Sequence, residues 1–244
     1  MKLTLQGAAH MASSVYGAEI APGVPTSGPP PIRGYFPQKW VHEQGSGFTG
    51  VIYSAPGANH IVLAFAGTDP TSWGDLKADL AIAGNDVPID QMERANRLYI
   101  AANDVRQGRE IIVVGHSLGG GLAQFIAAAY GVRAATFNAP AMGAHMEHWS
   151  AVTGTSNVNE AALKDRIVNF RSVFDPVSIG LQVLDVVRRG AGAMIGFPIF
   201  GGAWARHLGR VVHLGPGAGV HGMGDMTDYI DRHPMATSEP WDVR

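Results

Sequence analysis

The sequence predicts an α/β protein with a mostly parallel central sheet and helices on both faces. Short apolar runs of strand length alternate along the chain with segments whose apolar residues recur at helical spacing. The run 111–114 contains only Ile and Val, as expected for a strand that is buried on both faces of a parallel sheet. The 244 residues are 46% apolar and 16% charged, so the chain can bury a substantial core.

The elements follow one another in a single predicted domain, 1–244. Residues 1–31 form an N-terminal helix, at about 3–18, and a proline-rich arm. A segment at 186–209 is interpreted as an insertion, either lid-like or packed. The other predicted elements, in chain order, are strands 48–54 and 60–66, helix 91–106, strand 111–114, helix 118–130, strands 133–137, 166–173 and 211–214, and helix 224–232.

Charge and composition exclude several classes of function. The net charge of −2 gives no general attraction to nucleic acid or to acidic membranes. The absence of cysteine excludes a thiolate nucleophile and disulfides. The N-terminus lacks the apolar run of a signal peptide, and the longest uncharged apolar tract, 190–205, is shorter than the ~20 residues of a membrane-spanning helix. We therefore expect a soluble protein that is cytoplasmic or exported by a leaderless route.

A serine between a predicted strand and a predicted helix carries the strongest chemical signal. Gly115, Ser117 and Gly119 form a Gly-x-Ser-x-Gly motif. Glycines two residues to either side of Ser117 allow the strand and the helix to approach closely, so that the hydroxyl stands above the sheet. The backbone N–H of Leu118 and the start of the helix would then face a developing oxyanion. The simpler alternative is a serine that only caps the helix.

In this context, His116 to Gly120 resembles the lipases and esterases of the α/β-hydrolase fold, and most closely the class 3 lipase family. That family includes fungal triacylglycerol lipases and many bacterial phospholipase-like proteins. Leu63 to Asp69 is similar to the family's Phe-x-Gly-Ser/Thr strand end, which implies that Thr68 is an oxyanion-hole donor. A turn or helix N-cap is the alternative role for Thr68. Ala66 stands where the family often has Arg, so a salt bridge is missing there.

A serine nucleophile needs a carboxylate that orients its base, and in α/β-hydrolases the order along the chain is serine, acid, histidine. Asp175 follows the predicted strand 166–173, and the strand followed by Asp-Pro-Val resembles the family's pattern. Pro176 is expected to end the strand. Asp165 precedes the strand and Asp185 lies in an apparently helical stretch, so both are weaker candidates. A turn-forming role is the alternative for Asp175.

The predicted base is His221, which follows a glycine-rich loop and precedes the last predicted helix. This arrangement is similar to the C-terminal part of class 3 lipases, where the catalytic histidine leads into a helix. His213, inside a short strand, is the alternative. His145 and His148 precede the acid and are disfavoured by the order of the triad. His116 is expected to pack beneath the turn of the nucleophile.

Two apolar segments are candidates for the substrate side. Residues 73–84 occupy the position of the family's lid, but their helical apolar spacing is equally consistent with core packing. Residues 190–205 are interpreted as a packed insertion, a lid or acyl-binding surface, or a site of shallow membrane contact.

The sequence thus predicts a serine carboxylic-ester hydrolase that acts on lipid esters, of lipase or phospholipase A type. Ser117, His221 and Asp175 would form the triad and an acyl-enzyme, with Thr68 and Leu118 as oxyanion donors. No cofactor and no metal are expected; His145 and His148 are the only hint of a metal site. The expected partner is a lipid or other ester, with contact to a membrane surface as an option. The alternatives are a bacterial phospholipase effector or toxin and a non-catalytic binding relative.

Overall fold

The computed structural model describes residues 1–18, 28–43, 46–67, 89–143, 152–154, 160–175 and 207–243. Within these residues the chain forms a seven-stranded sheet whose strands lie in chain order. The first three strands pair antiparallel, and the third to the seventh pair parallel. The strands are β1 (Phe36–Glu43), β2 (Phe48–Ser54), β3 (His60–Phe65), β4 (Glu110–His116), β5 (Arg133–Phe137), β6 (Ile167–Ser172) and β7 (Arg210–Leu214).

Helices cover both faces of the sheet. One core cluster joins one face of the strands to the helices Leu5–Ser14 and Met223–Arg232, and the other joins the opposite face to the helices Ile89–Val105 and Leu118–Tyr130. The predicted α/β-hydrolase fold, with helices on both faces of a mostly parallel sheet, is therefore confirmed. The described α-helices are α1 (Leu5–Ser14), α2 (Ile89–Val105), α3 (Leu118–Tyr130), α4 (Glu160–Leu163) and α5 (Met223–Arg232), with 3₁₀ helices at Val15–Ala18, Pro216–Ala218 and Pro234–Thr237.

The strand β4 lies in the middle of the sheet and is buried on both faces. Alternate residues point to opposite faces of a strand, so Ile112 and Val114 contact the cluster of α1 and α5. Ile111 and Val113 contact the cluster of α2 and α3. This two-sided burial explains why the sequence of β4 is an uninterrupted apolar run.

Helix α1 is fixed at its start and near its middle. At its start, the hydroxyl of Thr4 accepts a hydrogen bond from the backbone N–H of Gly7 at 3.0 Å, as a helix N-cap. The N–H of Leu5 donates to the carbonyl of Ser238 at 2.7 Å, which ties the helix to the segment after α5. The imidazole of His10 also contacts the carboxylate of Asp231, in α5, at 2.9 Å. Helices α1 and α5 therefore form one packed layer.

The strand β1 is absent from the sequence-based prediction. It lies at the edge of the sheet, carries Pro37, and its pairing with β2 shifts between Pro37 and Lys39. An edge strand buries little apolar surface and tolerates proline and an irregular register. Its sequence therefore lacks the apolar alternation from which the other strands were predicted.

Several predictions lie outside the described residues. They concern most of the proline-rich arm, the segment 73–84, and nearly all of the insertion 186–209. Among the described residues, none of the helices is long and apolar enough to cross a membrane.

Candidate active site

The backbone of Ser117 has a conformation that is rare for a residue with a side chain. Ser117 lies between the last residue of β4 and the first residue of α3, and its backbone has a φ of 54° and a ψ of −130°. The N–H of Ser117 donates to the carbonyl of Phe137 in β5 at 3.0 Å, which fixes this turn to the neighbouring strand. The Ser117 side chain makes no capping hydrogen bond to α3. The structure thus gives no support to the alternative of a helix-capping serine.

The glycines around Ser117 are required by close packing of the backbone. A Cβ added to Gly115 would lie 2.2 Å from the carbonyl oxygen of Gly119. A Cβ added to Gly119 would lie 2.3 Å from the carbonyl oxygen of Phe65, at the end of β3. Both distances are shorter than any contact that a side chain could make without movement of the backbone. The glycines therefore permit the sharp turn that presents Ser117.

Asp175 and His221 form a buried hydrogen-bonded pair. Oδ1 of Asp175 lies 2.6 Å from Nδ1 of His221, and the two side chains are 0% and 3% exposed. A carboxylate only accepts hydrogen bonds, so Nδ1 of His221 carries the proton that it donates. In a neutral imidazole, Nε2 is then the basic nitrogen. The geometry is that of a carboxylate that fixes the tautomer and the orientation of a general base.

The backbone of His221 is attached to the turn that contains Ser117. Its carbonyl oxygen accepts from Nε2 of His116 at 2.8 Å and from the side-chain amide of Asn138 at 3.2 Å. The imidazole rings of His116 and His221 are 4.9 Å apart between centroids. The loop after β7 therefore crosses the ends of β6 and β5 and reaches the residue immediately before Ser117.

Asn138 and Ser172 connect the loops of the acid and the base. Oδ1 of Asn138 accepts from the N–H of Ser172 at 2.8 Å, and the hydroxyl of Ser172 donates to the carbonyl of Gly219. The N–H of Asp175 donates to the carbonyl of Ser172 at 3.2 Å, which closes a turn after β6. The strand thus ends at Ser172, before the proline that was expected to end it, because the backbone already turns between Ser172 and Asp175.

The predicted site residues can now be located. Ser117, Leu118, Asp175 and His221 all follow the carboxyl ends of parallel strands at the same edge of the sheet. Leu118 is the first residue of α3, so its N–H has no acceptor within a regular α-helix. Thr68 lies outside the described residues, immediately after Gly67.

The alternative candidates have different positions. His213 is an exposed residue of β7, and Asp165 precedes β6, at the opposite end of that strand from Asp175. His145, His148 and Asp185 lie outside the described residues.

His116 contacts more than the packing role predicted for it would require. Nδ1 lies 2.8 Å from the hydroxyl of Tyr16, while Nε2 faces the carbonyl of His221. Burial, and then the neighbouring imidazole of His221, lower the pKa of His116 to about 3. His116 is therefore neutral at neutral pH and bonds through both ring nitrogens.

A buried arginine lies near the acid. The guanidinium of Arg171 in β6 donates through Nη1 to Nε2 of His207 at 3.1 Å. Burial lowers the pKa of Arg171, and the negative charge of Asp175 opposes this effect. Among the described residues, Nε of Arg171 has no hydrogen-bond partner. The positive charge of Arg171 thus belongs to the electrostatic surroundings of Asp175.

Four residues of this arrangement were missed by sequence reasoning, and they belong to separate elements. No local periodicity links them to Ser117, because each acts through a contact distant in sequence. The φ of Asn138 is positive, at 43°, and this conformation depends on contacts in the folded protein. In the sequence, an Asn at a strand end is only a weak signal of a left-handed turn. The missed residues are Tyr16, Asn138, Arg171 and His207.

Comparisons with known proteins find relatives whose names refer to phospholipases and lipases. A family model described as a Tle-like phospholipase domain, of the phospholipase-like group, matches residues 7–219. This match includes Ser117 and Asp175 and ends two residues before His221. An extracellular phospholipase A1 from Serratia liquefaciens is 42% identical over 101 residues, which are 41% of this chain and 29% of the relative. The chain therefore covers less than a third of that relative's length.

Solved lipase structures show a more distant likeness. The Lip2 lipase of Yarrowia lipolytica is 14% identical, with a TM-score of 0.46 over 70% of this chain and 71% of that chain. The lipase of Rhizopus microsporus var. chinensis is 17% identical, with a TM-score of 0.42 over 71% of this chain and 66% of that chain. At this level of similarity, these structures add nothing to the assignment of function.

The family model covers most of the chain, so the resemblance to lipases and bacterial phospholipase-like proteins is confirmed at the level of the family. The assignment depends on this match, which includes the strand-turn-helix segment of Ser117. The protein therefore belongs to the phospholipase-like family of Tle-like phospholipase domains.

Proposed function

We propose that this protein is a serine carboxylic-ester hydrolase that cleaves lipid esters, of phospholipase A type. The observation that supports this best is the buried Asp175–His221 pair, whose loop is hydrogen-bonded to the residue before the strained Ser117. A nucleophile on a tight turn, a histidine and an orienting carboxylate are the parts needed for acyl transfer. Family membership agrees with this chemistry.

In the first half of the reaction, Oγ of Ser117 attacks the ester carbonyl carbon. Nε2 of His221 takes the hydroxyl proton, and the Asp175 carboxylate stabilises the imidazolium that forms. The carbonyl oxygen becomes an oxyanion that accepts hydrogen bonds from the N–H of Leu118 and from Thr68. The tetrahedral intermediate collapses, His221 returns the proton to the leaving alcohol, and the acyl group stays on Ser117.

In the second half, water hydrolyses the acyl-enzyme. His221 removes a proton from the water as its oxygen attacks the acyl carbon. The second tetrahedral intermediate uses the same oxyanion donors. On its collapse, the proton returns to Oγ of Ser117 and the free carboxylic acid leaves. The sum of both halves is ester plus water giving acid plus alcohol.

Glycerophospholipid is the favoured substrate class over triglyceride. Both the family description and the Serratia relative's name refer to phospholipases. We therefore expect release of fatty acid from phosphatidylcholine or phosphatidylglycerol vesicles to exceed release from triolein emulsions. A preference for triolein would contradict this choice and leave the serine mechanism intact.

Exposed apolar side chains beside the acid and the base suit contact with a lipid surface. Phe174 precedes Asp175 and is 53% exposed, and Val220 precedes His221 and is also 53% exposed. Val173 is exposed as well. We call these three residues the apolar rim. Exposed apolar groups next to a site are a common feature of proteins that bind lipid surfaces.

The first test of the mechanism is Ser117→Ala. We expect hydrolysis of p-nitrophenyl butyrate to fall on the order of 10⁵-fold or more, because the nucleophile is lost. Covalent labelling by a fluorophosphonate probe should disappear in the same variant. Ser54→Ala, at the end of β2, is the matched control and should keep full activity.

Two outcomes would reject the proposed function. Undiminished esterase activity in Ser117→Ala would mean that another group is the nucleophile. Absence of labelling and of hydrolysis in the folded unsubstituted protein, over a panel of phospholipids, glycerides and short esters, would favour a non-catalytic binding role.

A further inference from the structure

Tyr16 connects the N-terminal segment to two parts of the candidate site. It lies in the 3₁₀ helix Val15–Ala18, which directly follows α1. Its hydroxyl oxygen is 2.9 Å from the backbone nitrogen of Gly67 and 2.8 Å from Nδ1 of His116. The ring of Tyr16 stands edge-on to His116, with 5.8 Å between the centroids. Tyr16 is separated from His116 by 100 residues, so this contact depends on the completed fold.

The donor and acceptor roles along this contact can be assigned. Nε2 of His116 faces the carbonyl of His221, which can only accept, so Nε2 carries the proton. The imidazole is neutral, as its low pKa requires, and Nδ1 is therefore an acceptor. The hydroxyl of Tyr16 must donate to Nδ1, and its oxygen accepts from the N–H of Gly67. Each polar group in this series of hydrogen bonds thus has a partner of the matching kind.

The chain of hydrogen bonds has one direction and two functional ends. It runs from the N–H of Gly67 to the hydroxyl of Tyr16, then through His116 to the carbonyl of His221. Gly67 is adjacent to Thr68, the predicted oxyanion donor. At the other end, His221 is the predicted base. The chain therefore fixes the oxyanion side and the base side relative to the turn of Ser117.

Packing at Gly67 shows how closely these parts approach. A Cβ at Gly67 would lie 2.6 Å from the Tyr16 hydroxyl and 3.0 Å from Cβ of Ser117. The phenol oxygen and Cβ of Ser117 therefore both face the space beside Gly67 that a side chain would occupy. Loss of the hydroxyl would leave the N–H of Gly67 without its acceptor at a point where small movements reach Ser117.

We propose that Tyr16 is a positioning residue of the active site, which holds the oxyanion strand end and the base loop in register with Ser117. This inference depends on the proposed hydrolase function. Tyr16 would act through its hydrogen bonds with Gly67 and His116. A role in geometry predicts a lower rate of the chemical step with little change in substrate binding, because small displacements of reacting groups slow acyl transfer strongly.

The test is Tyr16→Phe, with Tyr53→Phe as the matched control. The Tyr53 hydroxyl is also bonded to the N-terminal helix, at 2.8 Å from Oγ of Ser14, but it does not contact His116. We expect Tyr16→Phe to lower kcat for p-nitrophenyl butyrate by roughly 10- to 100-fold, with KM within about twofold. The rate of fluorophosphonate labelling of Ser117 should fall in parallel. Tyr53→Phe should keep both rates.

A double-variant cycle identifies the route. If Tyr16 acts through His116, then Tyr16→Phe should have little further effect on kcat in a His116→Gln background. Full additivity of the two losses would overturn that route. If Tyr16→Phe lacks a cooperative unfolding transition, His116→Gln replaces it in the test. It interrupts the same chain of hydrogen bonds at the next residue.

The outcomes separate this inference from the proposed function. Suppose that the unsubstituted protein hydrolyses esters and that the folded Tyr16→Phe variant keeps the same kcat and labelling rate. This result overturns the positioning role of Tyr16 and leaves the hydrolase function intact. Equal losses in Tyr16→Phe and Tyr53→Phe would indicate a general loss of stability and would also overturn it. An unsubstituted protein without hydrolysis or labelling rejects the hydrolase function first.

Discussion

At the scale of single residues, Ser117, the proposed nucleophile, has a strained backbone. A residue with a side chain at positive φ costs roughly 1–3 kcal/mol relative to a relaxed conformation, and glycine avoids most of this cost. The turn keeps Ser117 in place because Gly115 and Gly119 let β4, α3 and the end of β3 pack without clashes. The strain is thus a property of the position, independent of the serine hydroxyl.

This strain predicts that Ser117→Gly is more stable than Ser117→Ala by about 1 kcal/mol. Both variants lose the hydroxyl, and only glycine relaxes the backbone at φ 54°. Urea unfolding, followed by circular dichroism, measures the difference. Equal midpoints for the two variants, or a higher midpoint for alanine, would show that the turn is not strained.

The acid is the second residue whose role can be isolated. Asp175→Asn keeps the shape of the side chain, but an amide can donate to Nδ1 of His221 and so favours the wrong tautomer. We expect kcat to fall on the order of 10³- to 10⁴-fold while Ser117 remains in place. The matched control is Asp165→Asn, an exposed carboxylate before β6. Equal losses in both variants would argue against Asp175 as the orienting acid.

At the scale of elements, the buried strands could be predicted from the sequence, and the strand at the edge of the sheet could not. The strand β4 and the helix α3 were located within a residue or two because their apolar runs must be buried. The strand β1 was missed because an edge position imposes no such pattern, and Pro37 argued against a strand. Strand β6 agrees with the predicted strand 166–173 within one residue at each end, although the turn closed by Asp175, and not the proline, ends it.

The apolar rim is an element-scale feature with its own test. Phe174→Ser combined with Val220→Ser should lower hydrolysis of phospholipid vesicles by roughly tenfold, because exposed apolar area contributes to binding at the surface. Hydrolysis of soluble p-nitrophenyl butyrate should stay within about twofold. Comparison of kcat/KM for the two substrates gives the result.

The matched control for the rim is Val105→Ser. Val105 is 49% exposed at the end of α2, just before β4 begins and hence far from the carboxyl ends of the strands. This substitution should leave vesicle hydrolysis unchanged. Equal loss on vesicles and on the soluble ester in the rim variant would point to damage at the active site, and would reject the lipid-contact role.

At the scale of the whole molecule, buried histidines set the dependence of stability on pH. His60, at the start of β3, is 3% exposed and bonds the Tyr35 hydroxyl at 2.6 Å. Burial lowers the pKa of His60, as it does for His116. In the unfolded chain both imidazoles titrate near 6.5. Below that pH, the unfolded state therefore binds protons that the folded state excludes.

The free energy of unfolding should fall as the pH drops below about 6.5. Each such histidine contributes a slope of roughly 1 kcal/mol per pH unit until its folded pKa is reached. His60→Gln should flatten this slope in urea unfolding between pH 7 and 5. The matched control is His213→Gln, at an exposed position of β7. An equal slope in His60→Gln and the unsubstituted protein would contradict this explanation.

The candidate site was predictable where chemistry constrains the local sequence. Ser117 lies in a motif, and Asp175 and His221 follow strands in the order that the fold requires. Tyr16, Asn138 and Arg171 could not be found in this way, because their partners lie in other elements. Their positions become meaningful only when the sheet brings its strand ends together.

Helix α1 packs against α5, and this arrangement has a consequence for synthesis. Leu5, Met11 and the alanines between them are translated more than 200 residues before their partner helix, Met223–Arg232. At ~5–20 residues per second, that delay is on the order of 10 to 40 s. During that time the apolar face of α1 is exposed to chaperones and to other nascent chains. The proposed base, His221, directly precedes this helix, so ester cleavage would begin only after this part of the chain has docked.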